Sequence, residues 1–540
     1  MAWSFSDGIA YGHEAAPLVV GSTMYLVTPF PNIAYALDLT KPGAPIKWTY
    51  QPRPKRIAVG KACCDAVNRG PSFADGKLVF TLLDGQAVAV DANSGKEAWR
   101  AKLGEPASGM TMTMSPLVVG KTVLVGNSGG EMGVRGQLTA LDLDTGKEQW
   151  RAYSTGPDAD VKIGPGFKAP YAWLQGKDLG AKTWPGESWR QGGGTVWGWI
   201  SYDPDLNLIY YGSSNPSPRV PAQRPGDNLW SSAVFARDPK TGDARWAFQF
   251  TPHDQWDYDG VNEDILFNAT IDGRPRKLLA HLDRNGFGYT MDRETGRILV
   301  AKPFGDVVNW AKGIDPDTGR PILDPDKQAK VEEKVSNICP THIGSKDWNP
   351  AAFSPRTGLI YADIFNICMD LTDHKVAYIP GTPYDGMDLQ THAGGKTGKW
   401  GEFIAWNPLT GQKVWSIPET FMTMSGVLAT AGDLVFYGTT DGWFRAVDAR
   451  TGKVLWSQKL SSGITSQPMT YQGPDGRQYV AVVAGVGGVA SQVMGQKNGF
   501  PPRGGTLYVF SVDGASPSSG AGMLTTQGSG APGGHYDTPD

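Results

Sequence analysis

A pattern of the form aliphatic-x-Asp-x-x-Thr-Gly-Lys-x-x-Trp returns along the whole chain, and no other feature limits the fold so tightly. It runs from Val90-Asp91 to Trp99, Leu141-Asp142 to Trp150, Arg237-Asp238 to Trp246, Trp406-Asn407 to Trp415 and Val447-Asp448 to Trp456. Weaker copies run from Leu37-Asp38 to Trp48 and from Met291-Asp292 to Gly296, where Val300 stands in the tryptophan's place. An eighth begins at Val512-Asp513-Gly514 with no tryptophan after it. Each copy reads as two strands joined by a tight turn, Asp and Gly supplying the turn and β-branched and aromatic residues the strands.

The missing tryptophan is found at the other end of the chain, where Ala2-Trp3-Ser4-Phe5 resembles Lys47-Trp48-Thr49-Tyr50. The expected fold is therefore all-β: an eight-bladed β-propeller of tryptophan-docking-type repeats. Pairing of the N- and C-terminal strands closes its ring and leaves no open sheet edge at the seam. With 540 residues, of which 70 are glycine, the chain can bury a large core but is too glycine-rich for a helical bundle. The intervals before Asp238 and Asn407 are the long ones, so residues 157–194 and 313–370 are expected to be excursions from a single propeller domain over 1–514. Residues 515–540 read as a Gly/Ser/Pro-rich tail.

A formal charge of −3 and no basic patch exclude nucleic acid as an implied partner. No apolar run is long enough to span a bilayer, and Met1-Ala2-Trp3 opens directly in strand-like sequence without a charged and apolar leader. The four cysteines include no C-x-x-C, which argues against zinc and for an oxidising compartment, and no C-x-x-C-H, so no c-type haem is attached. Cys63 and Cys64 are neighbours. Their Cα atoms lie about 3.8 Å apart, closer than the roughly 4.4–6.8 Å of ordinary disulfides, so a bridge between them makes a small strained ring that surrounding structure must enforce. Two unbridged core thiols are the alternative. Cys339 and Cys368 each follow Asn-Ile, which suggests matched positions.

Three other segments carry chemistry. Ser128-Gly129-Gly130-Glu131, after the strand Thr122 to Gly126, lets backbone approach a flat ligand closely. Gly192 to Trp199 offers bare backbone beside the large face of Trp197. In Gln255-Trp256-Asp257-Tyr258-Asp259 the two aspartates alternate, so on an extended strand both project from one face and repel unless a cation lies between them. Solvated loop aspartates would tolerate the same spacing.

Cys63-Cys64-Asp65 with Asn68-Arg69-Gly70, Gly129-Gly130-Glu131, Gly194-Thr195 with Trp197-Gly198-Trp199, Arg224-Pro225-Gly226-Asp227-Asn228 and Pro252-His253-Asp254 with Trp256-Asp257 together resemble the pyrroloquinoline quinone (PQQ) dependent alcohol dehydrogenases, the methanol and ethanol dehydrogenase group. The likeness runs in unbroken order from about Trp3 to Gly514. It implies a periplasmic quinoprotein that oxidises an alcohol and passes electrons to a soluble cytochrome c; a homodimer is compatible with it. It implies a Cys63-Cys64 disulfide and Trp197 on the two faces of PQQ. Glu14, Arg69, Thr113, Ser128, Gly129, Gly130 and Thr195 would hold the cofactor's carboxylates and edges, and Arg284 would lie beside its reactive oxygens. Glu131, Asn215 and Asp257 match metal ligands, Asp257 also matches the catalytic base, and Cys339 and Cys368 match a second disulfide.

Calcium-type members of that group have a small neutral residue two places after the catalytic aspartate, whereas lanthanide-type members have Asp, as this chain does at Asp259. A trivalent ion holds one more carboxylate, so a lanthanide is expected as the metal. Calcium, in a PQQ sugar or polyol dehydrogenase, is the alternative; a non-enzymatic propeller scaffold is a remoter one. The chain departs from the methanol-type pattern at Arg219 and Met424, which stand where pocket tryptophans are found, and at Lys346-Asp347-Trp348-Asn349, where Asp347 and Trp348 become cofactor candidates. Loss of two rigid aromatics implies a pocket wider than methanol needs.

Overall fold

The computed structural model describes residues 1–271 and 273–512, so the tail expected at 515–540 lies outside the described residues. Among these, eight four-stranded antiparallel sheets follow one another: sheet 1 (residues 18–50), sheet 2 (72–102), sheet 3 (117–153), sheet 4 (200–249), sheet 5 (265–303), sheet 6 (352–419), sheet 7 (428–459) and sheet 8 (469–511). The fourth strand of sheet 8 comes from the other end of the chain: Trp3–Ser6 pairs with Thr506–Ser511, Trp3 opposite Val509.

The repeat explains how each sheet is made and how it meets the next. In the turn of sheet 2, Asp91 Oδ1 accepts the backbone N–H groups of Asn93 and Ser94 and the Ser94 hydroxyl, which fixes the turn. Gly95 follows with φ +69°, and a Cβ there would meet the Trp48 ring of sheet 1 at 2.7 Å, so only glycine lets the indole lie against the turn. The Trp48 Nε1 donates to Ala92 O at 3.0 Å. Trp99, Trp150, Trp246 and Trp415 dock on the following sheet's turn in the same manner. At sheet 5 Val300 and the stem of Lys302 take the tryptophan's place against Gly411. Trp3 packs between sheets 8 and 1, yet nothing comes within 4 Å of a Cβ built on Gly43, so this junction lacks the tryptophan-on-glycine contact.

Apolar clusters fill the gaps between neighbouring sheets. Phe80 and Val88 meet Tyr25 and Ala36, Leu278 meets Ile360 and Ile404, Phe403 stacks on Tyr437 at 3.9 Å, and Val509 and Ala481 of sheet 8 meet Met24 and Leu37 of sheet 1. Burying such aliphatic side chains contributes about 1.5–3 kcal/mol each. The excursion after sheet 3 forms two short helices, Asp158–Val161 and Leu179–Lys182. The later excursion divides in two. The wholly buried strand Leu359–Phe365 falls inside the expected 313–370 span but belongs to sheet 6, and the chain leaves that sheet again before returning at Gly401–Asn407. A small sheet of Val335–Ile338, Ile367–Asp373 and Met387–Ala393 is built from these departures.

Candidate active site

Loops that enter and leave the sheets converge on one cavity of about 200 Å³. Its lining includes Glu14, Cys63, Cys64, Arg69, Thr113, Ser128, Gly129, Glu131, Thr195, Trp197, Asn215, Arg219, Asp257, Asp259, Arg284, Asp347 and Trp348. Gly130 lies just behind, its carbonyl accepting Ser217 Oγ at 2.5 Å. Met424 is not on the lining; it is buried in the apolar cluster that also holds Ile343 and Trp348. Thr111, Ser214, His342, Val489 and Gln492 also face the cavity, none of them singled out from the sequence.

Cys63 and Cys64 are bonded to each other, and Cys339 to Cys368. Asp65 anchors the first pair: it has φ +120°, and its Oδ2 accepts Gly12 N at 3.0 Å and Gly488 N at 2.9 Å. Across the cavity, Trp197 donates its indole N–H to Asp259 Oδ2 at 3.0 Å. Arg69 lies over the Trp197 and Trp348 rings, 4.9 and 4.7 Å from their centroids, donates to Thr113 Oγ1 and pairs with Glu14 at 2.9 Å. Thr113 and Ser128 hydroxyls are 3.1 Å apart, and those of Thr195 and Ser214 are 2.8 Å apart.

Asp257 and Asp259 both reach the cavity, but not from an extended strand as their alternation suggests. Asp254 accepts the N–H groups of Trp256 and Tyr258, which winds the segment into a loop, and Asp257 takes φ +72°, a left-handed conformation uncommon outside glycine. Arg219 Nη2 lies 2.9 Å from Asp257 Oδ2, and Arg284 Nη1 lies 3.6 Å from Asp259 Oδ2. With the arginines so disposed, no three carboxylate, imidazole or thiolate groups among the described residues stand close enough to share an ion. The donor set nevertheless suits a hard cation: carboxylates of Glu131, Asp257 and Asp259 beside the Asn215 amide, with Asp257 Oδ1 buried and without a hydrogen bond.

Comparison with known proteins decides the family. A family profile described as the glucose/ethanol/alcohol dehydrogenase PQQ β-propeller domain matches residues 2–302 and 386–480. The chain is 50% identical over 537 residues to the lanthanide-dependent methanol dehydrogenase of Methylacidiphilum fumariolicum (strain SolV), covering 95% of this chain and 88% of that one. It is 40% identical over 514 residues to a quinohemoprotein alcohol dehydrogenase of Pseudomonas putida, covering 92% and 70%. Among solved structures, a europium-containing methanol dehydrogenase superposes with TM-score 0.92 at 49% identity, covering 95% of this chain and 93% of that one. The chain belongs to the PQQ-dependent alcohol dehydrogenases. It is an all-β oxidoreductase of that family rather than a scaffold.

Burial governs the electrostatics of this PQQ-dependent dehydrogenase. It raises the proton affinity of Glu131, Asp257 and Asp259 above the ordinary carboxylate range; Arg219 opposes the shift at Glu131 and Asp257, Arg284 opposes it at Asp259, and the charge of Asp259 adds to the shift at Asp257. Burial likewise brings Glu14 to about 8 against the pull of Arg69. His342 is held neutral, its pKa lowered to about 3 by burial and by the nearby Arg219 and Arg284 cations.

Proposed function

We propose that this chain oxidises an alcohol to an aldehyde or ketone in this cavity, with PQQ and a lanthanide ion as cofactors. The eight sheets are then the blades of one ring closed by the chain's two end strands, and residues 1–514 form one catalytic domain. One observation carries the reading: the Cys63-Cys64 disulfide, Trp197 and the oxygen donors Glu131, Asn215, Asp257 and Asp259 all open onto a single cavity.

The disulfide and Trp197 would cover the two faces of PQQ, while Glu14, Arg69, Thr113, Ser128, Gly129, Gly130, Thr195, Asp347 and Trp348 hold its edges. Glu131, Asn215, Asp257 and Asp259 would hold the ion. When bound, PQQ supplies a hydride acceptor and the ion a Lewis acid on the quinone carbonyl. The protein's own task is acid–base and positional. Asp257 takes the alcohol's hydroxyl proton at Oδ1, which makes no hydrogen bond, and burial raises that carboxylate's proton affinity. Arg284 is fixed by Asp347 through Nε at 3.1 Å and Nη2 at 2.7 Å, so its charge stays beside the site where negative charge develops.

Asp259 favours a trivalent ion over calcium, because a third carboxylate is better balanced by a third charge. Two disulfides suit the periplasm. A soluble cytochrome c is the proposed acceptor, in keeping with 42% identity over 546 residues to the Paracoccus denitrificans protein named methanol dehydrogenase [cytochrome c] subunit 1. Arg219 in place of an aromatic favours an alcohol larger than methanol.

Reconstitution with PQQ and either lanthanum or calcium, followed by absorbance and by turnover of an alcohol panel with an artificial acceptor, tests this reading. Bound quinone and lanthanum-dependent turnover are expected. Failure to take up PQQ overturns the function, equal or better turnover with calcium overturns the metal, and methanol as the best substrate overturns the pocket.

A further inference from the structure

Three arginines face the cavity, and they are not equally committed. Arg284 is clamped by Asp347 and also donates to Asp257 O at 3.2 Å. Arg69 is held by Glu14, Thr113 and the Trp197 carbonyl. The buried Nε of both Arg69 and Arg219 lacks a hydrogen bond, but Arg219 differs in having a single close ion pair, through Nη2 to Asp257, and no other side-chain partner among the described residues.

The backbone that presents Arg219 is rigid. Arg224 is fully buried and donates to Pro218 O at 2.5 Å, Arg219 O at 3.2 Å and Asn228 Oδ1 at 2.8 Å, while Ser217 ties the same turn to Gly130. Such bracing fixes a guanidinium's direction at little further entropic cost. Its one partner, Asp257, is also the carboxylate that the proposed function assigns to the ion and to the alcohol's proton. A carboxylate so engaged has less charge to offer Arg219. A guanidinium is a planar fork that pairs bidentately with carboxylates, and one left underpaired in a buried site is costly.

We propose that Arg219 is a specificity-determining residue that binds an anionic group of the substrate, with His342 on the same cavity wall as a further hydrogen-bonding group, so that the preferred alcohol carries a carboxylate. This inference rests on the proposed function, since it takes Asp257 to be occupied and a trivalent ion to offset Glu131, Asp257 and Asp259. Without that offset the surrounding carboxylates would repel an anion.

The test pairs two alcohols of equal carbon chain, 4-hydroxybutanoate and 1-butanol, on the PQQ- and lanthanum-loaded enzyme, reading the ratio of their kcat/KM values within each variant. The wild type should favour 4-hydroxybutanoate at least tenfold, chiefly through KM. Arg219→Met should bring the ratio to one or below, and Arg219→Lys should restore part of it. Calorimetric binding of butanedioate, which carries no hydroxyl to oxidise, is measured on the same preparations and should weaken at least tenfold in Arg219→Met. A wild-type ratio near one, or a ratio and butanedioate affinity that Arg219→Met leaves unchanged, overturns the assignment. Protein that takes up lanthanum but no PQQ counts against the proposed function instead, and butanedioate binding to that lanthanum-loaded protein then decides for or against the anion site separately.

Discussion

Two buried arginine–aspartate pairs show how differently one kind of contact is used. Arg293 and Asp203 join sheets 4 and 5: Nε meets Asp203 Oδ2 at 2.6 Å, Nη1 donates to Phe267 O and Leu278 O, and Asp203 Oδ1 accepts the N–H groups of Asp205 and Leu206. Neither residue leaves a buried side-chain nitrogen or oxygen without a partner. Arg219 and Asp257 pair at 2.9 Å, but Arg219 Nε and Asp257 Oδ1 make no hydrogen bond, Oδ1 meeting only Arg284 Nη1 at 3.9 Å, and the pair borders a cavity. A buried pair whose hydrogen bonds are complete holds the fold. One left incomplete beside a cavity is available to a ligand.

The comparison breaks most visibly at Asp257. Asp257→Asn should lower kcat by about 10²- to 10⁴-fold, the usual scale of a lost general base, with little change in thermal midpoint. Asp203→Asn should do the reverse: a lower midpoint, with turnover per folded molecule retained. Next in size is stability. Arg293→Met leaves a buried carboxylate uncompensated and should cost about 3–5 kcal/mol in urea unfolding, whereas Arg219→Met should cost less, because Asp257 faces a cavity. Asp259→Ala should then reduce the ratio of lanthanum- to calcium-supported turnover by about tenfold or more, equivalent to about 1.4 kcal/mol of selectivity. A ratio that does not move would remove Asp259 from the proposed ion site.

The smallest effect concerns pH. His281 is fully buried between Asp264 and Asp283, at 3.0 and 3.2 Å. Burial disfavours its charge, but hydrogen bonds to both carboxylates outweigh this and raise its pKa from 6.5 to about 9. Its stabilising contribution is therefore complete below about pH 6.5 and is lost as pH rises through about 9. Thermal midpoints across that window should fall more steeply for the wild type than for His281→Gln.

What was legible in the sequence was what acts locally. The Asp and Gly of each repeat make their own turn, and the tryptophan ten or so residues on docks on the next copy, so the all-β architecture could be read without knowing any long-range contact. The Cys63-Cys64 neighbours stood out as well, but their residues alone left free thiols as an alternative, and only the family resemblance implied the bridge that the structure contains. Asp257 and Asp259 were recognised as a pair, but the reason they face one cavity was not: Asp254 winds the loop, and no strand is involved. His342, a lone polar residue in a loop, and Gln492, in the short helix Gly488–Met494, were missed because a single polar residue carries no pattern of its own, and their positions depend on where the chain returns. Arg219 and Asp257 lie on opposite sides of the strands Ala233–Arg237 and Ala244–Gln249 in the sequence, and spacing gave no sign of their pairing.

One contact reaches beyond the cavity. Asp65, beside the paired sulfurs, grips both Gly12, near the start of the chain, and Gly488, at the head of the last helix among the described residues. The segments at Gly12 and Gly488 are thus fastened to the same carboxylate that steadies the cavity wall, and whatever occupies the cavity must share its fate with them. A tightly held occupant should slow local opening at both segments, and loosening either should quicken its escape.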